Sequence, residues 1–368
     1  MYTENDVMRL AKRYNNNKRS YLLVNPLQAK HMPVSPTKAF EMMSELGKIL
    51  NNTADSPLVI GFAETATAIA AAVAMSFPDN TYYMHTTREN CGSEKVLNFY
   101  EEHSHAVEQQ IIYKPISRIN PERIILIDDE ISTGKTIENI VEAMRKEFPS
   151  LKNSEFVVGS VINRISSERE QELLSKNIKF VSLVKINGDN FEESVSGINA
   201  ESPVFPDNLK EYSGKEISPK SDIPNMREGL KVGEMKKELS IFTDESVNYL
   251  KNNLENCKKI LVLGTEECMI PAIMLGMELE KRFNLQVCTH STTRSPIGIN
   301  NSEDYPCRNG FRIESFYESE RQTYLYNTDK YDAVIVVTDS KNDIQCEMAF
   351  RDIMAVFSDC GKFYLVRG

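Results

Sequence analysis

The sequence predicts an α/β protein of two Rossmann-like parallel-sheet domains, the second a degenerate copy of the first. Three observations carry this. Short aliphatic runs alternate with amphipathic helical stretches, the pattern of parallel strands joined by helical crossovers. Five blocks of the N-terminal half return in the same order in the C-terminal half. Between them the chain turns Ser-, Pro- and Lys-rich. The expected organisation is therefore a first domain at 1–195, a linker at 196–235 and a second domain at 236–368.

Composition bounds the function classes. A chain of 368 residues that is 41% hydrophobic can bury two cores. A net charge of −10 argues against general nucleic-acid binding, which needs clustered Lys and Arg. The longest apolar candidate, A-I-A-A-A-V-A-M at 68–75, is too short to span a bilayer, so no membrane partner is expected. Seven cysteines without C-x-x-C spacing disfavour zinc and a disulfide framework. With no basic-then-apolar start, a cytoplasmic location is expected.

In chain order, residues 1–20 read as a short helix with a loose arm, followed by the strand S-Y-L-L-V-N-P. The loop Q-A-K-H-M-P-V-S-P-T-K carries Lys30 and His31, and Thr37–Leu50 has helical spacing. Leu58–Ile60 forms a strand that ends at Gly61 and runs through F-A-E-T into an alanine-rich helix. Small residues there suit close backbone approach, to a ligand or to the sheet alike. T-Y-Y-M-H leads into the polar connection T-T-R-E-N-C-G-S-E-K, with Arg88 its leading cation. Glu101, Glu102, His103 and His105 form the densest titratable cluster. It reads either as a solvated helix or as a base-recognition segment; His at i and i+2 do not share a helix face.

Ile124–Thr136, I-I-L-I-D-D-E-I-S-T-G-K-T, organises the rest. Its aliphatic run suits a strand buried on both faces, expected to end where Asp128 and Asp129 begin. Ser132, Thr133, Gly134, Lys135 and Thr136 then open an amphipathic helix, a place where backbone N–H groups and the helix dipole hold an anion. A P-loop is excluded, since Asp stands at position 129 where the first glycine belongs. Carboxylates ahead of a phosphate cradle fit a ligand with vicinal hydroxyls beside a phosphate.

This segment resembles the phosphoribosyl pyrophosphate (PRPP) signature of type I phosphoribosyltransferases. The resemblance implies the type I fold for the first domain and assigns roles. Asp128 and Asp129 orient the ribose and meet Mg²⁺ through Mg-PRPP. Glu130 and Ile131 belong to the PRPP-binding stretch, and Ser132, Thr133, Gly134, Lys135 and Thr136 hold the 5′-phosphate. Ala63, Glu64 and Thr65 face the pyrophosphate, and Arg88 assists its departure. Lys30, His31, Thr87, His103 and His105 become acceptor-binding candidates.

The repeat sharpens the reading. L-V-I-G-F-A-E-T parallels L-V-L-G-T-E-E-C at 261–268, and Y-M-H-T-T-R-E parallels C-T-H-S-T-T-R-S at 288–295. F-Y-E-E parallels F-Y-E-S at 316–319, and I-I-L-I-D-D parallels A-V-I-V-V-T-D at 333–339. F-V-V-G-S-V-I-N-R parallels F-Y-L-V-R at 363–367. The second copy lacks one carboxylate and the whole T-G-K-T cradle. Its Thr293-Arg294-Ser295-Pro296 makes the pair look like a phosphoribosyltransferase followed by a TRSP domain. Such proteins resemble a group tied to tellurium-resistance and stress gene clusters. Arg294 is expected at a stiff tip that docks on the catalytic copy.

The expected activity is PRPP-dependent transfer to a base-like acceptor with loss of pyrophosphate, forming a nucleotide-like metabolite with Mg²⁺ as cofactor. A non-catalytic PRPP-binding regulator or scaffold remains the alternative, and homodimerisation is left open.

Overall fold

The computed structural model describes the chain except residues 15–18, 52–55, 91, 93–94, 100–108, 114–115, 117–118, 120, 189, 208–210 and 212–213. A helix, Glu4–Val7, precedes strands β1 (Arg9–Lys12) and β2 (Tyr21–Val24) and the helix Pro36–Leu50. β3 (Leu58–Gly61), the helix Thr67–Ala74 and β4 (Tyr82–His85) come next. β5 (Val96–Phe99) and β6 (Gln109–Ile112) form a hairpin, then β7 (Arg123–Ile131) and the helix Lys135–Glu147. β8 (Glu155–Asn163), the helix Ser167–Ser175 and β9 (Ile178–Lys185) end this series. β10 (Lys215–Ile217), β11 (Leu230–Lys231) and the helix Val232–Leu250 lead to β12 (Lys259–Gly264). The helix Ile270–Arg282 and β13 (Gln286–Ser291) are followed by the hairpin of β14 (Gly310–Glu314) and β15 (Gln322–Tyr326). β16 (Ala333–Thr338), the helix Asp343–Val356 and β17 (Phe363–Arg367) complete the chain.

Two compact units result. The first comprises Met1–Glu4, Met42–Asp189 and Pro224–Lys237, the second Asn5–Glu41, Asn190–Ile223 and Glu238–Gly368. This departs from the contiguous split expected at 195 and 236, for reasons of packing. The β1–β2 hairpin buries Ala11, Leu22 and Val24 with Ile297, Tyr305, Cys307 and Tyr326. The stretch expected as a linker supplies a strand to each sheet, β10 beside β17 and β11 beside β4. The residues expected as a loose N-terminal arm include β1.

The first unit's sheet has the order β11-β4-β3-β7-β8-β9, parallel except for β11, which runs antiparallel to β4. Ile124–Ile127 are buried throughout, as a central parallel strand requires. Ile137, Ile140, Val141 and Met144 recur at helical spacing and close one face over Leu126, Phe156 and Val158. Every residue of Thr67–Ala74 is buried. A Cβ on Gly61 would come 2.4 Å from the Ala70 Cβ, so glycine and alanine set this close helix–strand approach.

The second unit repeats the architecture, with the all-parallel order β10-β17-β16-β12-β13. Position for position, β13-β12-β16-β17 match β4-β3-β7-β8, and the hairpin β14–β15 matches β5–β6. β10 fills the place of β9, although it enters from upstream of the repeat.

Candidate active site

In the first sheet the chain steps from β3 to β4 on one side, whereas β7 lies on the other. The β3–β7 junction is therefore the topological switch point, where the carboxyl ends of parallel strands part and open a crevice. The β3–β7 pairing ends at Gly61 and Ile127, with one further bond from the Phe62 N–H to the Ile127 carbonyl (3.0 Å). β7 itself continues beside β8 as far as Ile131. Asp128 and Asp129 thus lie within a strand rather than beyond its end, because β8 keeps satisfying the backbone after β3 has left.

Asp128, Asp129 and Glu130 are half-buried. Asp128 Oδ1 accepts from the Asp129 N–H (2.9 Å), and Asp129 Oδ1 accepts from the Thr65 hydroxyl (3.0 Å). The loop after β3 and the acidic stretch of β7 are thereby joined by a side-chain hydrogen bond. Glu130 is engaged differently. Its Oε1 takes the Arg164 guanidinium at 2.7 Å, with each side chain only 12% exposed, so its charge is neutralised within the fold. The Ile131 side chain is buried in the core.

The cradle follows. Gly134 holds the N-cap of Lys135–Glu147 at φ 71°, with no side chain capping the helix. This left-handed position and the surroundings both demand glycine, since a Cβ would lie 2.9 Å from Ile165 Cδ1. The Thr133 hydroxyl accepts from the Lys135 N–H (3.3 Å). Thr133 and Lys135 are exposed; Ser132 and Thr136 are half-buried. First-turn N–H groups have no partner within the helix, and the dipole adds positive potential, so this end suits a phosphate.

A third edge comes from the loop after β3 and the end of β4. The Ala63 N–H donates to Thr86 Oγ1 (2.8 Å), the Thr86 N–H to the Gly61 carbonyl (2.8 Å), and the Thr86 hydroxyl to Gln109 Oε1. Ala63 and Glu64 are buried, Thr65 is half-buried, and the Ala63–Glu64 peptide is cis. Thr87 is buried and pairs with Gln110 through both backbone groups at 2.9 Å. Its hydroxyl accepts from the Glu89 N–H (3.0 Å) and from Arg227 Nε (3.3 Å). Arg88, the next residue, is half-buried. Arg227 was not foreseen: it stands in P-N-M-R-E-G-L, where no motif or periodicity marks it.

Two expected acceptor-binding residues belong to the second unit instead. Lys30 is fully buried there, its Nζ donating to the carbonyls of Glu266 (2.9 Å) and Thr292 (3.0 Å). His31 is buried beside Tyr326, and its carbonyl accepts from Asn327 Nδ2 (2.9 Å). Backbone bonds between Val34 and Thr289 tie this loop to β13, an attachment that no local signal encodes. His103 and His105, with Glu101 and Glu102, lie outside the described residues.

The second copy reproduces the frame and alters the contents. The Glu266 N–H donates to Thr292 Oγ1 (2.9 Å) and the Thr292 N–H to the Gly264 carbonyl (3.0 Å), as Ala63, Thr86 and Gly61 do in the first. Thr293 pairs with Tyr324 as Thr87 does with Gln110. Glu266 therefore stands where Ala63 stands, and Arg294 where Arg88 stands. The Glu266 carboxylate is fully buried and takes Arg294 Nε (2.7 Å), Arg321 Nη1 (3.3 Å) and the Ser315 hydroxyl (2.6 Å). Arg294, expected at a docking tip, is thus in an internal ion pair and 11% exposed. Register within each sheet makes Thr338 and Asp339 the counterparts of Asp128 and Asp129, and the Asn342 side chain caps the helix that follows.

Among the described residues no group of three His, Cys, Asp or Glu side chains could hold a metal ion. The adjacent carboxylates of Asp128 and Asp129 fit a Mg²⁺ that takes most of its ligands from a bound phosphate ester and water. No helix among the described residues is long and apolar enough to cross a membrane.

A family model described as "Phosphoribosyl transferase" (PRTase_2) matches residues 7–187, and one described as "TRSP domain C terminus to PRTase_2" matches 226–354. No curated protein matches. Among solved structures, the chain is similar to an adenine phosphoribosyltransferase of Trypanosoma brucei in complex with AMP, pyrophosphate and ribose-5-phosphate. Identity is 14% and the TM-score 0.36, over 49% of this chain and 76% of that one. A Giardia lamblia adenine phosphoribosyltransferase complexed with 9-deazaadenine gives 14% and 0.38, over 49% and 94%. An orotate phosphoribosyltransferase of Aeropyrum pernix gives 14% and 0.29, over 50% and 89%.

Proposed function

From a chain whose residues 7–187 belong to the phosphoribosyl transferase family PRTase_2 and whose residues 226–354 are its C-terminal TRSP domain, we infer a PRPP-dependent enzyme that makes a nucleotide-like metabolite. A nitrogen of a base-like acceptor attacks C1 of PRPP; the new C–N bond forms as the C1–O bond breaks and pyrophosphate leaves with the electron pair. The observation that carries this reading is the pairing of Asp128 and Asp129 with the uncapped helix start at Gly134, at the switch point of the sheet.

Each group has a role that follows from its chemistry. Asp128 and Asp129 are acceptors for the two ribose hydroxyls and keep negative charge near a ring that turns cationic in the transition state. Backbone N–H groups and hydroxyls of residues 132–136 take the 5′-phosphate. Ala63, Glu64 and Thr65 present backbone to the pyrophosphate, and Arg88 stabilises the charge that develops on it. Asp128 and Asp129 would hold a Mg²⁺ brought with the substrate, which would supply further neutralisation of the leaving group. The second copy supports the placement of Arg88, because its counterpart Arg294 reaches the loop after the matching strand.

The test is pyrophosphate release by the full chain from PRPP and Mg²⁺ with a panel of nitrogen-heterocycle acceptors. Asp128→Asn combined with Asp129→Asn should lower turnover by about two orders of magnitude or more without loss of folding. Unchanged turnover in the folded double variant would refute the assignment. PRPP binding without release for any acceptor would favour the regulator instead.

A further inference from the structure

Among the described residues, the two sheets share their order except for one strand found in the first. β11 joins the edge of the first sheet antiparallel to β4, with Leu230 opposite Tyr83 and Lys231 opposite Tyr82. Because the strands run in opposite directions, the residues before Leu230 pass beyond the carboxyl end of β4, the end at which the crevice opens. They form the tight 3₁₀ turn Met226–Glu228, anchored by the buried Met226. Asn225 Oδ1 accepts from the Arg227 N–H (3.3 Å), and Asn225 Nδ2 donates to Glu228 Oε1 (2.9 Å). Arg227 is half-buried, with its Nε on the hydroxyl of Thr87, the residue next to Arg88. A guanidinium from outside the span of the PRTase_2 match thus sits on the turn that bears the leaving-group arginine.

The second copy shows what this corner accommodates. There two guanidiniums, Arg294 and Arg321, converge on the carboxylate of Glu266. In the first copy the matching residue is Ala63, which brings no charge, while the backbone frame around it is the same. An anion entering that corner would occupy the place of the Glu266 side chain. Pyrophosphate carries several negative charges and is matched better by two guanidiniums than by one.

We propose that Arg227 is a positioning residue for the pyrophosphate moiety: it fixes the Thr87–Arg88 turn and adds the second positive charge to the corner beside Ala63. This rests on the PRPP reading of the first copy. It makes residues 224–237 part of the active site and gives a physical reason for the two domains to share one chain. A PRTase_2 segment on its own would have the phosphate cradle and lack this cation.

Calorimetry on the full chain with two probes separates the possibilities: Mg-pyrophosphate, which reports on the corner, and ribose 5-phosphate, which reports on the cradle at 132–136. Arg227→Gln should weaken pyrophosphate binding by roughly tenfold or more, the scale of one charge-assisted contact, and leave ribose 5-phosphate within about twofold. Arg227→Lys keeps the charge and should recover part of the loss; it also serves if the Gln variant folds poorly. An additional Arg88→Gln should cost less in the Arg227→Gln background than in the wild type, since the two share one turn. Unchanged pyrophosphate binding, or equal weakening of both probes, would overturn the proposal while ribose 5-phosphate binding upholds the PRPP reading. Failure of the wild-type chain to bind ribose 5-phosphate would overturn both.

Discussion

At the scale of single residues, neighbours decide which of several similar groups is available for chemistry. Three carboxylates stand in a row at 128–130, yet Glu130 is matched to the Arg164 guanidinium, whereas Asp128 Oδ1 accepts from a backbone N–H and Asp129 Oδ1 from a hydroxyl. Thr133 is exposed and its hydroxyl accepts from the Lys135 N–H, so in the proposed site its own proton would go to a phosphate oxygen. Thr133→Val removes that donor, and PRPP affinity should fall by about 1.5–3 kcal/mol in calorimetry with the melting curve nearly unchanged. His290 poses a different problem. Burial, with a smaller contribution from the charge of Lys30, lowers it from 6.5 to about 4. The neutral ring accepts from the Ser291 N–H at Nδ1 (2.8 Å), so Nε2 donates to the Tyr326 carbonyl (2.7 Å). The unfolded chain gains a proton as pH drops below about 6.5, whereas the folded chain resists until about 4. Stability from this group is therefore complete above that upper value and is lost between the two, on the order of 3 kcal/mol in all. Urea midpoints should fall across this window in the wild type, and less steeply in His290→Gln.

At the scale of elements, the central strand and helix were legible, because burial on two faces and a 3.6-residue period leave direct marks in sequence. Ile124–Ile127 and Ile137–Met144 carry those marks. The end of β7 was not legible. Whether a strand stops at Asp128 or continues to Ile131 depends on β8, whose length is set elsewhere in the chain. β10 and β11 were missed for a related reason: three and two residues are too short to show a period, and they are strands only because a neighbour offers an open edge. Gly134 was named from sequence as part of the cradle, while its left-handed backbone is set by the structure around it. Gly134→Ala places a Cβ 2.9 Å from Ile165 Cδ1 and 3.0 Å from Leu173 Cδ1 at a left-handed φ. It should cost about 1–2 kcal/mol in denaturant unfolding and weaken PRPP binding as the cradle shifts.

At the scale of the whole chain, the repeat was readable in the order of its blocks, while the distribution of segments between the compact units was not. Residues 5–41 and 224–237 pack by pairings such as Val34 with Thr289 and Leu230 with Tyr83, each joining positions far apart in sequence. The duplicated frame nevertheless makes a quantitative prediction. Two such frames would allow two binding events, but the positions of the second copy that match the proposed site are engaged by the protein itself. Thr338 replaces the first carboxylate, and its hydroxyl accepts from Thr265 Oγ1 at 2.9 Å. Tyr317 donates to Asp339 Oδ1 at 2.6 Å, the position matching Asp129. Glu266 pairs with both arginines, and Asn342 accepts from the Gln345 N–H at the helix start that a phosphate would need. Titration of the full chain with PRPP and Mg²⁺ should accordingly saturate near one ligand per chain. Asp128→Asn with Asp129→Asn, together with Thr133→Val, should remove the heat of binding almost entirely, leaving no second phase. A stoichiometry near two, or a residual phase that survives those changes, would show that the second copy still binds PRPP despite its self-occupied corner.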